Sequence, residues 1–189
     1  MNAQPQPQAR LQALSPVTLV LGGARSGKSR YAEGLVEFRA PRIYLATGEA
    51  KDAEMAARIE EHKQRRGPGW ETVEEPLDIA GALKAHSDRQ KPVLVDCLTL
   101  WMSNLMAAGR DAEHEVQALV DCLGGLPGPV VLVSNEVGMG IVPDNALARA
   151  YMDNAGRMNQ AVAAAAQRVV SVTAGLPRVL KDAEVAPGK

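Results

Sequence analysis

The run Val17-Thr18-Leu19-Val20-Leu21-Gly22-Gly23-Ala24-Arg25-Ser26-Gly27-Lys28-Ser29 decides how this chain folds. An apolar, β-branched segment halts at two glycines, and Gly27-Lys28-Ser29 completes the G-x-x-x-x-G-K-[ST] phosphate-binding pattern that began at Gly22. The pattern stands where its chemistry needs it, after a strand and ahead of a helix expected from about Gly27 to Arg39. Gly22, Gly23 and Gly27 are expected to open turn conformations closed to other residues, so that the backbone around Ala24, Arg25 and Ser26 can aim successive N–H groups at one anion. The helix N-terminus adds its positive end. Lys28 would reach the outer phosphates, and the Ser29 hydroxyl would ligate Mg²⁺. A glycine-rich turn that binds nothing is the alternative, and the correct strand and helix on either side argue against it.

Working outward, Arg42 to Thr47 reads as a second strand ending at Gly48. Asp52 to Arg66 has helical period, with Asp52 a candidate N-cap, and Gly67-Pro68-Gly69 stops it. Trp70 to Glu74 alternates like a short strand, Leu77 to His86 suits a helix, and Pro92 to Asp96 is a short apolar run closing on an acid. Leu98 to Ala108 and Ala112 to Leu123 read as helices separated by Gly109. Pro129 to Ser134 is a buried strand, Asn145 to Arg168 the longest helical pattern, and Val169 to Thr173 the last strong strand, with a short edge strand over Leu176 to Leu180. Strands alternating with helices predict an α/β fold: a mostly parallel sheet with helices on both faces. We expect a flexible N-terminal tail over 1–15, one catalytic domain over 16–181 and a polar C-terminal tail over 182–189.

With 189 residues the chain can bury a substantial core without metal or disulfide staples. A net charge of −1 and a pI near 6.3 give no global basic footprint, which argues against a nucleic-acid partner. Cys97 and Cys122 both lie in apolar surroundings and read as reduced core thiols of a cytoplasmic protein. No uninterrupted apolar run approaches the roughly 20 residues needed to span a bilayer, and the Gln- and Pro-rich N-terminus does not read as a signal peptide.

Three constellations carry chemistry. Asp96 ends a strand downstream of the phosphate loop, where an acid can join the Mg²⁺ shell; capping the next helix is the structural alternative, and the phosphate loop tips the balance to the metal. His62 extends the stripe of Met55 and Ile59 on its helix and has Arg58 and Arg65 one strip over, with Arg66 following. Guanidinium neighbours favour a neutral, nucleophilic imidazole and would welcome a phosphate. Taken alone, the helix better suits a half-buried structural histidine. The Asn135 to Pro143 loop is too apolar and glycine-rich for a plain turn, and following a strand it should reach the sheet's carboxyl edge, where Glu136 could meet substrate or Mg²⁺. A structural strand–helix connection serves that loop equally well. Arg149, Asp153 and Arg157 are spaced for an ion-pair ladder, His86 ends a helix whose C-terminus it could favour, His114 reads as solvated surface, and Trp70 and Trp101 as core.

Taken together, Gly-Gly-Ala-Arg-Ser-Gly-Lys-Ser, Tyr-Leu-Ala-Thr, Glu-Met-Ala-Ala-Arg-Ile-Glu-Glu-His-Lys and Asn-Glu-Val-Gly-Met-Gly-Ile-Val-Pro closely resemble one family, from about Val17 to Leu180. It is the bifunctional adenosylcobinamide kinase/adenosylcobinamide-phosphate guanylyltransferase family of cobalamin biosynthesis. The resemblance implies a RecA-like P-loop NTPase arrangement, a homotrimer, and two reactions. ATP or GTP phosphorylates adenosylcobinamide; then GTP gives GMP to an enzyme histidine, and the corrinoid phosphate takes it to form adenosylcobinamide-GDP. The family's guanylylated histidine falls on His62, which reverses the reading from the helix alone. Some members carry a second, adjacent histidine where this chain has Glu61. By the same matching Gly22 to Ser29 hold the phosphates, Ala46, Thr47 and Gly48 lie against the nucleotide, and Lys63, Arg65, Arg66 and Glu74 are further GTP contacts. Some members have Glu where this chain has Asp96. Two rival readings stand beside it: a single-activity small-molecule kinase, which forms no covalent enzyme–GMP, and a polynucleotide-coupled NTPase module.

Overall fold

The computed structural model describes residues 14–37, 41–49 and 53–183, without the side chains of 54–56, 58, 59 and 65. Within it the chain runs β1 (Val17–Gly22), α1 (Lys28–Val36), β2 (Arg42–Ala46), α2 (Ala53–Arg66), β3 (Trp70–Glu74), α3 (Ile79–His86), β4 (Val93–Asp96), α4 (Leu98–Ala107), α5 (Ala112–Leu123), β5 (Val130–Asn135), α6 (Ala146–Ala165), β6 (Arg168–Thr173) and β7 (Leu176–Asp182). The strands form one sheet in the order β3-β2-β4-β5-β1-β6-β7. All neighbours are parallel except β7, which returns antiparallel to β6.

Period-2 alternation sorts the strand side chains onto two buried faces. Leu19, Leu21, Ile43, Leu45, Val93, Val95, Val130 and Leu132 meet Ile79, Leu83, Leu98, Trp101, Leu105, Leu119, Met158 and Val162 of α3 to α6. Val20, Tyr44, Leu94, Val131, Val133 and Val170 meet Ala32 and Val36 of α1 on the other face. Each fully buried Leu, Ile or Val contributes roughly 1.5–3 kcal/mol, so this two-sided packing is what fixes the strand order around β1.

The helix stops are legible locally. Asp78, Asp111 and Asn145 each accept a hydrogen bond from the backbone of the turn they open, as N-caps should. The proposed Asp52 cap lies outside the described residues. The longest helix ends at Ala165 and gives Arg168 to β6, short of the Arg168 limit expected. β7 runs past Leu180 to Asp182, and Lys181 Nζ donates to the Ala163 and Ala164 carbonyls at 3.0 and 2.9 Å, closing the C-terminal end of α6. The Ala174-Gly175 turn joining β6 to β7 has φ of 51° and 79°, the two left-handed residues a tight hairpin demands. The Arg149–Asp153–Arg157 ladder does not form as drawn: Arg149 turns back to donate to the Pro143 and Asp144 carbonyls, at 2.9 and 2.7 Å. Among the described residues no helix is long and apolar enough to cross a membrane.

Candidate active site

Parallel strands bring their carboxyl ends to one edge, and register does the rest. Ala46 lies opposite both Asp96 and Glu74, and Gly22 opposite Asn135. A cleft of about 460 Å³ opens above these strand ends. Ala24, Arg25, Lys28 and Ser29 line it from the phosphate loop, Ala46, Gly48, Glu74 and Asp96 from the sheet edge, and His62, Lys63 and Arg66 from α2. Residues more than thirty positions apart in sequence therefore share one space.

The phosphate loop is shaped by contact as much as by conformation. A Cβ on Gly22 would come within 2.6 Å of the Val172 carbonyl oxygen, so only glycine fits there. Gly22 and Gly27 take φ 158° and 95°, and the third positive-φ residue of the loop is Arg25, at φ 56°, rather than Gly23, whose added Cβ would meet open space. This corrects the expectation that Gly23 supplies the turn. Gly27 offers no side-chain cap to α1, which leaves first-turn N–H groups for an anion. Ser26 Oγ is buried without a hydrogen-bond partner. Lys28, only 8 % exposed, donates to the Gly23 carbonyl at 3.2 Å across its own loop.

A second cluster forms where α2 crosses the sheet edge. Tyr44 donates to Asp96 Oδ2 at 3.1 Å, and His62 Nδ1 stands 4.0 Å from the same oxygen. Burial, then the Asp96 charge, holds the Tyr44 phenol well above its usual pKa, so it remains a donor. The Arg66 guanidinium lies 3.4 Å over the Tyr44 ring, and its buried Nη1 has no hydrogen-bond partner. A buried, unsatisfied cationic donor beside a cleft is costly unless a ligand supplies an acceptor. Lys63 pairs with Glu74 at 3.5 Å near the cleft mouth. The expected guanidinium setting of His62 is only partly visible: the Arg58 and Arg65 side chains lie outside the described residues, and the charged group recorded against the ring is the Asp96 carboxylate.

Thr47 is placed differently from its neighbours Ala46 and Gly48. Thr47 does not face the cleft; it is fully buried, its hydroxyl donates to the Cys97 carbonyl at 2.8 Å and accepts from Cys97 N at 2.9 Å, and its carbonyl accepts from Asn104 Nδ2 at 2.7 Å. Thr47 holds together the backbones that carry Ala46 and Asp96. Asn135, Glu136 and Val137 of the glycine-rich loop line the cleft at the carboxyl edge where that loop was expected, and three further residues that the sequence did not assign to it line it too: Tyr44, Cys97 and Leu100. Tyr44 was within reach, because it shares a strand face with Ala46 two residues on. Asn135 is fixed by Nδ2 donating to Thr99 Oγ1 at 2.6 Å and by its carbonyl accepting from Asn159 Nδ2 at 3.1 Å. Cys97 is an inert floor: burial first, then Asp96, pushes its thiol pKa up.

Residues 18–180 match the family model described as cobinamide kinase/cobinamide phosphate guanyltransferase. The chain is 48 % identical over 166 residues to a bifunctional adenosylcobalamin biosynthesis protein, CobP, of Pseudomonas aeruginosa, spanning 86 % of this chain and 96 % of that protein. It is 42 % identical over 173 residues to the bifunctional adenosylcobalamin biosynthesis protein CobU of Escherichia coli, across 84 % of this chain and 96 % of the relative. Among solved structures, flagellar accessory protein FlaH of Methanocaldococcus jannaschii superposes with a TM-score of 0.52 at 11 % identity, covering 100 % of this chain and 89 % of that one. A type III secretion ATPase does so with a TM-score of 0.50 at 13 % identity, covering 85 % of this chain and 51 % of that one. These structural likenesses carry the fold, a mostly parallel sheet with helices, and nothing of the substrate.

Proposed function

Because the chain belongs to the cobinamide kinase/cobinamide phosphate guanyltransferase family, we propose that it phosphorylates adenosylcobinamide from ATP or GTP and then moves GMP from GTP through His62 onto the adenosylcobinamide phosphate. The observation that carries this reading is the meeting of His62 with Lys28 and Ser29 in one cleft, the ring turned so that Nδ1 faces Asp96. With Nδ1 so directed, Nε2 is the nitrogen left to attack.

In the guanylyl step Nε2 attacks the α-phosphorus of GTP, the N–P bond forms, and pyrophosphate leaves with the electrons of the broken P–O bond. The corrinoid phosphate oxygen then attacks the same phosphorus, the N–P bond breaks, and adenosylcobinamide-GDP departs. One difficult displacement becomes two easier ones. Lys28 and the phosphate-loop N–H groups stabilise charge on the outer phosphates, and Arg66, with its unsatisfied Nη1, supports charge at the histidine side. Ser29 Oγ and Asp96 would hold Mg²⁺: both are hard oxygen donors lining the cleft, and Tyr44 and His62 face Asp96 Oδ2, which leaves Oδ1 for a cation. Among the described residues no group of three or more His, Cys, Asp or Glu could hold a metal, which suits an ion that takes few protein ligands and completes its shell with phosphate oxygens and water. When bound, Mg²⁺ neutralises charge developing on the phosphates. The family resemblance extends to a homotrimer, a single catalytic domain over 16–181 and a cytoplasmic setting, and these belong to the same reading.

The test is incubation with Mg²⁺ and GTP labelled at the α-phosphate, followed by denaturing gel separation. Wild-type protein should retain an acid-labile, base-stable label, and His62→Ala should retain none while still phosphorylating the corrinoid. An unlabelled wild type that still transfers the γ-phosphate would leave a kinase with a structural histidine.

A further inference from the structure

The two proposed reactions need different proton chemistry. Guanylylation of His62 uses a lone pair already present, whereas phosphorylating an alcohol requires a group to take the hydroxyl proton. Three carboxylates line the cleft among the described residues. Asp96 is occupied by Tyr44 and turned to His62, and Glu74 is paired with Lys63. Glu136 differs. Ser171 Oγ donates to its Oε2 at 3.5 Å, the outer limit of a hydrogen bond, and the side chain is exposed where it lines the cleft.

Its placement is fixed all the same. Glu136 follows Asn135, the register partner of Gly22, and its backbone N–H donates to the Gly22 carbonyl at 3.1 Å. The carboxylate is thereby tied to the first residue of the phosphate loop, on the β5–β1–β6 side of the cleft, while His62 and Asp96 occupy the β2–β4 side. Beyond it in sequence the chain exposes three apolar side chains, Met139, Ile141 and Val142, at 87 %, 97 % and 64 % exposure. A bulky acceptor with an apolar body would arrive there with its hydroxyl beside Glu136.

We infer that Glu136 is the catalytic residue that accepts the hydroxyl proton in the phosphorylation step, so that opposite walls of one cleft serve the two reactions. Glu136 has this role only if the chain phosphorylates a hydroxyl, as proposed above. The acceptor O–H gives its proton to a Glu136 carboxylate oxygen as its oxygen bonds the γ-phosphorus. The bond from that phosphorus to the β–γ bridging oxygen breaks, the nucleoside diphosphate leaves with the electron pair, and Glu136 releases the proton to water.

Glu136→Gln keeps the size and Glu136→Asp keeps the charge. With adenosylcobinamide, Mg²⁺ and ATP or GTP as reactants, kcat for corrinoid phosphorylation in Glu136→Gln should fall by on the order of 100-fold, with KM for the corrinoid changed only a few-fold. The ratio of phosphorylation to self-labelling by α-labelled GTP should fall by a similar factor, and Glu136→Asp should recover part of it. Phosphorylation at near wild-type rate in Glu136→Gln overturns the assignment. So does an equal loss of both activities, which would make the carboxylate part of shared nucleotide binding. A wild type that phosphorylates no corrinoid removes the kinase reading itself, and Glu136's role with it.

Discussion

The two walls of the cleft are built in opposite ways. The phosphate loop is sewn into the sheet: Gly22 admits no side chain against Val172, Ser26 accepts from Gly175 N at 2.8 Å, Gly22 accepts from Glu136 N, and Lys28 is almost wholly buried. The His62 wall is a helix whose described side chains reach the sheet through polar and ring contacts, His62 toward Asp96, Arg66 over Tyr44 and Lys63 to Glu74. The proposed phosphate site is thus backbone that cannot move without disturbing the core, whereas the described contacts of the proposed nucleophile's helix are made by side chains. In the proposed function the generic task would sit in the loop and the distinguishing one on the helix.

That contrast can be broken at three points. The largest effect falls on the shared wall: Lys28→Ala should lower both γ-phosphoryl transfer and self-labelling by on the order of 10²–10³-fold. Survival of either activity near the wild-type rate would show that the loop serves only one reaction. Next comes the link between the walls. Tyr44→Phe keeps the ring under Arg66 and removes the hydrogen bond to Asp96, and the self-labelling rate should fall about tenfold, as the loss of a charge-assisted bond predicts. Corrinoid phosphorylation should fall less; equal losses would assign Asp96 to the loop rather than to His62. The smallest effect is at the cleft mouth. Lys63 and Glu74 are 43 % and 70 % exposed, so Lys63→Ala should change unfolding stability in urea by less than about 1 kcal/mol. A larger shift would mean that α2 depends on this pair for its attachment.

How far the sequence reveals all this follows from the range of the interactions. The phosphate loop and the strands are local patterns, and period-2 apolar runs place β1, β2, β4, β5 and β6 within a residue or two of where they lie. Thr47 shows where proximity in sequence misleads. Its neighbours Ala46 and Gly48 line the cleft, but alternation turns Thr47 inward to Cys97, a partner fifty residues away that no spacing announces. The Tyr44–Asp96–His62 group is equally hidden, because it depends on the β2–β4 register that sets Ala46 opposite Asp96. His62 by itself looked structural from its helix, and only the longer match of its surrounding residues pointed to chemistry.

The closing hairpin of β6 and β7 has a mechanical meaning. Its two-residue turn donates from Gly175 N to the Ser26 carbonyl and packs Gly175 Cα 3.2 Å from where a side chain on Gly27 would begin. At its far end Lys181 grips the last carbonyls of α6. The strand that joins the sheet last in chain order is therefore a splint for the loop that follows the first strand. Extra residues grafted onto the turn would press on the loop itself.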